Sequence, residues 1–179
     1  MRTATFMILL AFAGTVGAAD VESRVLTHYL PQDFLETVVR TEGWTELALD
    51  VKGGVRKGDV VRIWAGGSID RGNGDQPGEN VNSPAGLSNA FSAADTEKLA
   101  LTPQAEDAFA LLFKTETELK KCREVGKPLE VPLTKDKEQI RIGFNDLRGR
   151  YYDNHLGKGR RHELDPLWVR IEVVRIIVD

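Results

Sequence analysis

The chain has 179 residues, 41% of them hydrophobic and 28% charged, with 24 Lys and Arg against 27 Asp and Glu. That length suits one domain with one sizeable core, and the mild acidity lacks the basic excess that neutralising phosphates requires, so nucleic acid is not an expected partner. Cys122 is the single cysteine: no disulfide can form within the chain, stability must come from the core or a metal, and Cys122 itself reads as a small buried apolar residue.

The first elements in chain order concern export. Met1-Arg2 gives a positive start, Phe6 to Gly14 an apolar stretch, and Gly17-Ala18-Ala19 a small-residue end, the pattern of a secretory signal peptide. The stretch falls short of the ~20 apolar residues that span a bilayer. Residues 1–19 are therefore expected to be a signal and 20–179 a single domain. Removal of Arg2 leaves 23 basic against 27 acidic residues. The expected location is secreted or periplasmic, with no transmembrane segment after cleavage.

Residues 20–38 are of mixed character, with room for a short helix. From Thr45 onward the apolar pattern has mostly period two, which puts alternate side chains on one face of a strand. Glu46-Leu47-Ala48-Leu49-Asp50-Val51 alternates, Lys52-Gly53-Gly54 and Lys57-Gly58-Asp59 supply turns, and Val60 to Ala65 is strongly apolar. This predicts two strands joined by a tight connection. Further strands are predicted at 109–114, 129–133, 139–144 and 167–178. In the last, Trp168, Arg170 and Glu172 oppose Val169, Ile171 and Val173. Residues 115–121 are charged and read as a solvated turn or short helix. Many short strands with Gly and Pro turns predict an all-β sandwich or barrel. The Gly-, Asn- and Ser-rich segment 66–89 is long enough to be a functional loop.

The densest group of hard oxygen donors lies in Asn145-Asp146-Leu147-Arg148-Gly149-Arg150-Tyr151-Tyr152-Asp153-Asn154, directly after a predicted strand. Calcium takes six to eight oxygens from carboxylates, carboxamides and backbone carbonyls, and a turn at Gly149 would bring Asp146, Asp153 and Asn154 around one point. The EF-hand spacing is absent. On residue types alone, Asn, Asp and Gly are also ordinary turn formers.

Four ordered blocks resemble the calcium-dependent galactose-binding lectin family typified by the PA-I galactophilic lectin. They are Trp44-Thr45, Gly58-Asp59-Val60-Val61-Arg62-Ile63-Trp64-Ala65-Gly66-Gly67, Val125-Gly126, and Ile142-Gly143-Phe144-Asn145-Asp146 through Tyr151-Tyr152-Asp153-Asn154. The resemblance spans about 38–178 and implies a jelly-roll-like β-sandwich. It also implies calcium held by Asp146, Asp153 and Asn154 with the carbonyls of Arg150 and Arg71. The ligand it implies is a carbohydrate, two of whose hydroxyls replace waters on the ion. Homo-oligomerisation, which would add avidity, is left open.

Two departures from that family's pattern bear on the ligand. Where its lectins carry a His and a Gln, this chain aligns Asn82, which can hydrogen-bond a hydroxyl, and Ala85, which cannot. The segment 155–166 is longer and carries Lys158, Arg160 and Arg161, which read either as an anion-binding extension or as a solvated loop. Tyr151 and Tyr152 are candidates for sugar contact, one facing the ligand and the other the core. Trp44, Trp64 and Trp168, in or beside strands, read as core.

Catalytic signatures are lacking. Gly66-Gly67-Ser68-Ile69-Asp70 misses the last Gly of a nucleophile elbow, and His162-Glu163-Leu164-Asp165 misses the second His of a zincin. The expectation is a calcium-dependent carbohydrate-binding protein and not an enzyme. The alternative is a calcium-stabilised structural or interaction domain of the cell envelope without sugar binding.

Overall fold

The computed structural model describes residues 21–72, 81–86, 95–122, 127–156 and 165–178. The expected signal peptide, Val125-Gly126 and the basic residues Lys158, Arg160 and Arg161 lie outside them.

Ten strands and one α-helix follow the chain order β1 (Val21–Tyr29), α1 (Gln32–Arg40), β2 (Thr45–Glu46), β3 (Val60–Gly66), β4 (Ile69–Asp70), β5 (Val81–Asn82), β6 (Leu111–Lys114), β7 (Leu119–Lys121), β8 (Leu129–Pro132), β9 (Arg141–Phe144) and β10 (Trp168–Val178). Two four-stranded antiparallel sheets, ordered β1-β10-β3-β8 and β2-β9-β6-β7, form a sandwich, and β4-β5 make a small third sheet. The all-β sandwich expected from the alternation is the fold.

Alternation decides which faces meet. In β10, Val169, Ile171 and Val173 are buried, as are Val61, Ile63 and Ala65 of β3, and they pack toward Leu111, Phe113, Ile142 and Phe144 of the other sheet. Trp168 and Trp64 take the opposite, outer face: Trp168 is 36% exposed and Trp64 half-buried. The core reading of these two indoles is thereby corrected. Period two had already assigned Trp168 to the face opposite Val169.

Other expectations are corrected by long-range pairing. The alternating run 46–51 contributes only Glu46 to β2, and β2 pairs with β9 while β3 pairs with β10 and β8, so the two are not a hairpin. Gly53 and Gly54, both at positive φ, turn the chain between the two sheets. Residues 115–121 hold a turn and β7, which returns along β6. Mixed character at 20–38 resolves into β1, paired over nine residues with β10, and α1. Leu35, Val38 and Val39, at helical spacing, are the buried stripe of α1.

A polar clasp closes one end of the β1-β10-β3-β8 sheet, the larger of the two by strand length, between its central strands β10 and β3. Arg175 donates to both carboxylate oxygens of Asp59 at 2.9 and 2.7 Å and to the Gly54 carbonyl, and Arg56 N–H donates to Asp59 at 2.8 Å. Burial alone would raise the Asp59 carboxyl, but these hydrogen bonds and the positive charges of Arg175 and Arg56 outweigh it and hold it below its ordinary value. A charge so nearly buried is tolerated because it is paired and hydrogen-bonded.

Candidate metal centre

β9 delivers Asn145 and Asp146 to the end of the sandwich, where Asn145 locks the surrounding loops. Its side chain is fully buried, accepts from the N–H groups of Leu101 (3.0 Å) and Thr102 (3.3 Å), and donates to the carbonyls of Asp107 (2.9 Å) and Thr102 (3.1 Å). All four contacts go to backbone about forty residues away. The backbone of Asn145 completes the junction, its N–H donating to Ala110 O at 2.9 Å and its carbonyl accepting from Phe109 N–H at 2.8 Å. Phe109 has φ 56°, the left-handed region that costs a bulky residue energy. Asn145 holds it from one side. Asn82 Nδ2, donating to the Phe109 carbonyl at 2.8 Å, holds it from the other.

The loop after Asp146 is pinned along its length. Asp146 O accepts from Ala100 N–H, and Asp146 Oδ1 from Leu147 N–H at 2.6 Å. Gly149, at φ 73°, makes the expected turn and its N–H donates to Glu42 at 2.7 Å. Arg150 is exposed and leads into the 3-10 turn Tyr151–Asp153. Tyr151 is buried, its hydroxyl donating to Phe144 O at 2.7 Å and accepting from Asp146 N–H at 3.1 Å. It is a buttress beneath the loop, the member of the pair that faces the core. Tyr152, 62% exposed, is the member of the pair that faces outward.

Asn154 is fully buried and its Nδ2 donates at 2.7 Å to Val39 O, one of the carbonyls that the end of α1 leaves unpaired. The loop is docked on a second side by β4: Asp70 and His155 exchange backbone hydrogen bonds at 2.9 and 2.7 Å, and Asp70 Oδ1 accepts from Gly72 N–H. Gly72, at φ 64°, lies so close that a Cβ there would come within 2.7 Å of Asp153 Cγ. These contacts bring Asp146, Asp153, Asn154 and Arg71 into one neighbourhood.

The electrostatics of that neighbourhood are unbalanced. Burial pushes the Asp146 carboxyl up from its ordinary value, against the pull of the Asn154 side chain, Leu147 N–H and the Arg71 guanidinium, and the Asp153 charge pushes it further up. Asp146 Oδ2 and Asn154 Oδ1 are both buried and accept no hydrogen bond within the protein. Unpartnered buried acceptors beside a desolvated carboxylate are groups that a bound cation would satisfy. The oxygen chemistry fits calcium. Among the described residues no three His, Cys, Asp or Glu side chains group as metal ligands, so such a site would draw on two carboxylates together with carboxamide and carbonyl oxygens.

Arg71 enters the site in a way the sequence did not indicate. Its guanidinium lies 3.8 Å from the centroid of the Phe109 ring, close enough to Asp146 and Asp70 to feel both charges. Burial lowers its pKa and those carboxylates raise it. The positive charge offsets part of what the second carboxylate adds. Asn82 is also buried: Nδ2 is committed to Phe109 O and Ser83 O, and Oδ1 accepts no hydrogen bond. Glu42, Arg40, which donates to Tyr152 O at 2.9 Å, and Asn145 all shape the loop. No spacing rule points to the first two. Asn145 was visible only as the neighbour of Asp146.

No protein-family model matches the sequence, and no curated protein matches it. Among solved structures the chain is similar to one described as "EclA N-terminal domain; PllA-like lectin", at 14% identity, over 82% of this chain and 92% of that chain, with a TM-score of 0.39.

Proposed function

We propose that this chain is a calcium-dependent carbohydrate-binding domain of an exported protein. The observation that carries the metal is the pair of buried oxygens, Asp146 Oδ2 and Asn154 Oδ1, that accept no hydrogen bond beside a carboxylate raised by burial. Asp146, Asp153 and Asn154 would hold the ion through side-chain oxygens, with the carbonyls of Arg150 and Arg71 as the further ligands that the sequence resemblance implies. Bound calcium supplies positive charge to the site and positions at which neighbouring sugar hydroxyls replace water. The chain's own contribution is placement: α1 fixes Asn154 through Val39, Glu42 fixes the Gly149 turn, and Tyr152 offers an exposed ring beside the loop. Export rests on the amino-terminal pattern alone.

Asn82 and Ala85 favour a second reading, in which calcium clamps the loops and no sugar is recognised. The two N–H groups of Asn82 already have carbonyl partners, and Ala85 has no polar group to offer. Thermal melts in calcium and in EGTA test the metal: the wild type gains stability with calcium and Asp146→Asn does not. An unchanged melting temperature on chelation rejects the site. A glycan array run both ways then separates the readings, because calcium-dependent hits support the lectin and calcium-dependent stability without hits supports the clamp.

A further inference from the structure

The outer face of the larger sheet carries a second feature suited to a saccharide. Strand register puts Tyr29 of β1 opposite Arg170 of β10, and Arg170 opposite Trp64 of β3, so these three side chains form one row across three strands. Trp168, two residues before Arg170, stands on the same face opposite Gly66. Tyr29, Trp64, Trp168 and Arg170 line a shallow hollow of about 300 Å³, at the lower end of small-molecule sites.

The hollow is built rather than incidental. A Cβ on Gly66 would come within 2.5 Å of the Trp168 ring, so the missing side chain is what lets the indole lie down against the backbone of β3. The Arg170 guanidinium lies 4.6 Å from the Trp64 ring centroid and is ion-paired with Glu172. That fixes the cation between the aromatic groups. Tyr29 is 67% exposed and Trp168 36%.

We propose that this face is a second, calcium-independent carbohydrate site, at which the C–H face of a hexopyranose ring stacks on Trp168 and Tyr29. Arg170, held by the buried Glu172, supplies the donor for ring hydroxyls. The ligand class rests on the carbohydrate-binding reading; the site does not rest on calcium. The amphipathic lining selects this occupant. A pyranose has an apolar face and a polar rim, and the hollow matches both. An apolar partner would have to desolvate the Arg170–Glu172 pair. Whole aromatic side chains bury about 150–250 Å² each, so the exposed parts of these rings offer on the order of 300 Å², below the ~800 Å² per partner of a standard protein interface.

Tryptophan fluorescence and affinity electrophoresis in EGTA, with cellotetraose, β-1,4-galactotetraose and their parent polysaccharides as probes, test the proposal. The wild type binds at least one probe in EGTA. Trp168→Ala and Tyr29→Ala each weaken it at least tenfold. Two single variants on different strands guard against misfolding of either one. Binding that vanishes in EGTA and returns with calcium regardless of Trp168 overturns the second site and leaves the metal site standing. Absence of binding in both conditions overturns the carbohydrate reading as a whole. A wild-type dimer that Trp168→Ala dissociates in sedimentation also overturns the proposal, because the face would then be a self-association surface.

Discussion

Replacing Asn145 by Ala removes the junction on which the candidate site is built. The change strips partners from two backbone N–H groups, of Leu101 and Thr102, and two carbonyls, of Thr102 and Asp107, around a side chain with no exposed surface. Each buried group left unsatisfied costs about 1–3 kcal/mol. Water entering the vacated volume recovers part of the sum, leaving a loss of roughly 3–6 kcal/mol, a large share of the ~5–15 kcal/mol that stabilises a domain. At about 2–4 °C per kcal/mol for a chain of this size, the melting temperature falls by roughly 10–20 °C. Urea titration followed by tryptophan fluorescence gives the free energy directly. Asn145→Asp sharpens the test. It keeps both acceptor contacts but cannot donate to Thr102 O and Asp107 O, and it buries a charge against two carbonyls, so at neutral pH it is at least as damaging as Ala. Losses under 1 kcal/mol for Ala, or an Asp variant near wild type, would refute the reasoning.

Tyr151→Phe loses the bonds to Phe144 O and from Asp146 N–H and is expected to cost about 1–2 kcal/mol by chemical denaturation. Tyr152→Ala, at an exposed position, changes stability by under ~0.5 kcal/mol while weakening calcium-dependent glycan binding, read on the same array. Gly72→Ala places a Cβ against Asp153 at a positive φ, and calorimetric titration is expected to show at least a tenfold weaker calcium site with lowered stability. Acid destabilises the clasp: Asp59 is held below its ordinary 3.8 and Glu138, whose carboxylate accepts from Thr134 and Lys135, below 4.5. Burial works against both shifts, and the hydrogen bonds exceed it. A depressed folded-state pKa contributes stability above the unfolded value, and that stability is lost as pH falls through the folded one. The urea midpoint therefore drops below about pH 4.5 in the wild type, and Asp59→Asn with Glu138→Gln flattens that limb of the profile.

The sequence by itself determined which residues alternate. Period two in 60–66 and 168–178 is a local property of the chain, and it sorted Val169, Ile171 and Val173 from Trp168 and Arg170 before any partner strand was known. The strand leading into Asn145-Asp146, the turn at Gly149 and the opposed fates of Tyr151 and Tyr152 were legible for the same reason. Each depends on neighbours a few residues away. Tertiary structure decided what those residues meet. The run 46–51 alternates as well as any strand, but its extended pairing stops after Glu46 because β3 joins the other sheet. Asn145 bonds backbone some forty residues distant, Asn154 caps α1 from 115 residues away, and Arg71 stacks on Phe109. No local pattern encodes such contacts, because they are set by how two sheets and a helix come together. The oxygen donors of the candidate loop can thus be read from the chain, whereas the neighbours that leave Asp146 Oδ2 and Asn154 Oδ1 without a hydrogen-bond partner, and that bring the Arg71 guanidinium near Asp146, exist only once the sandwich has closed.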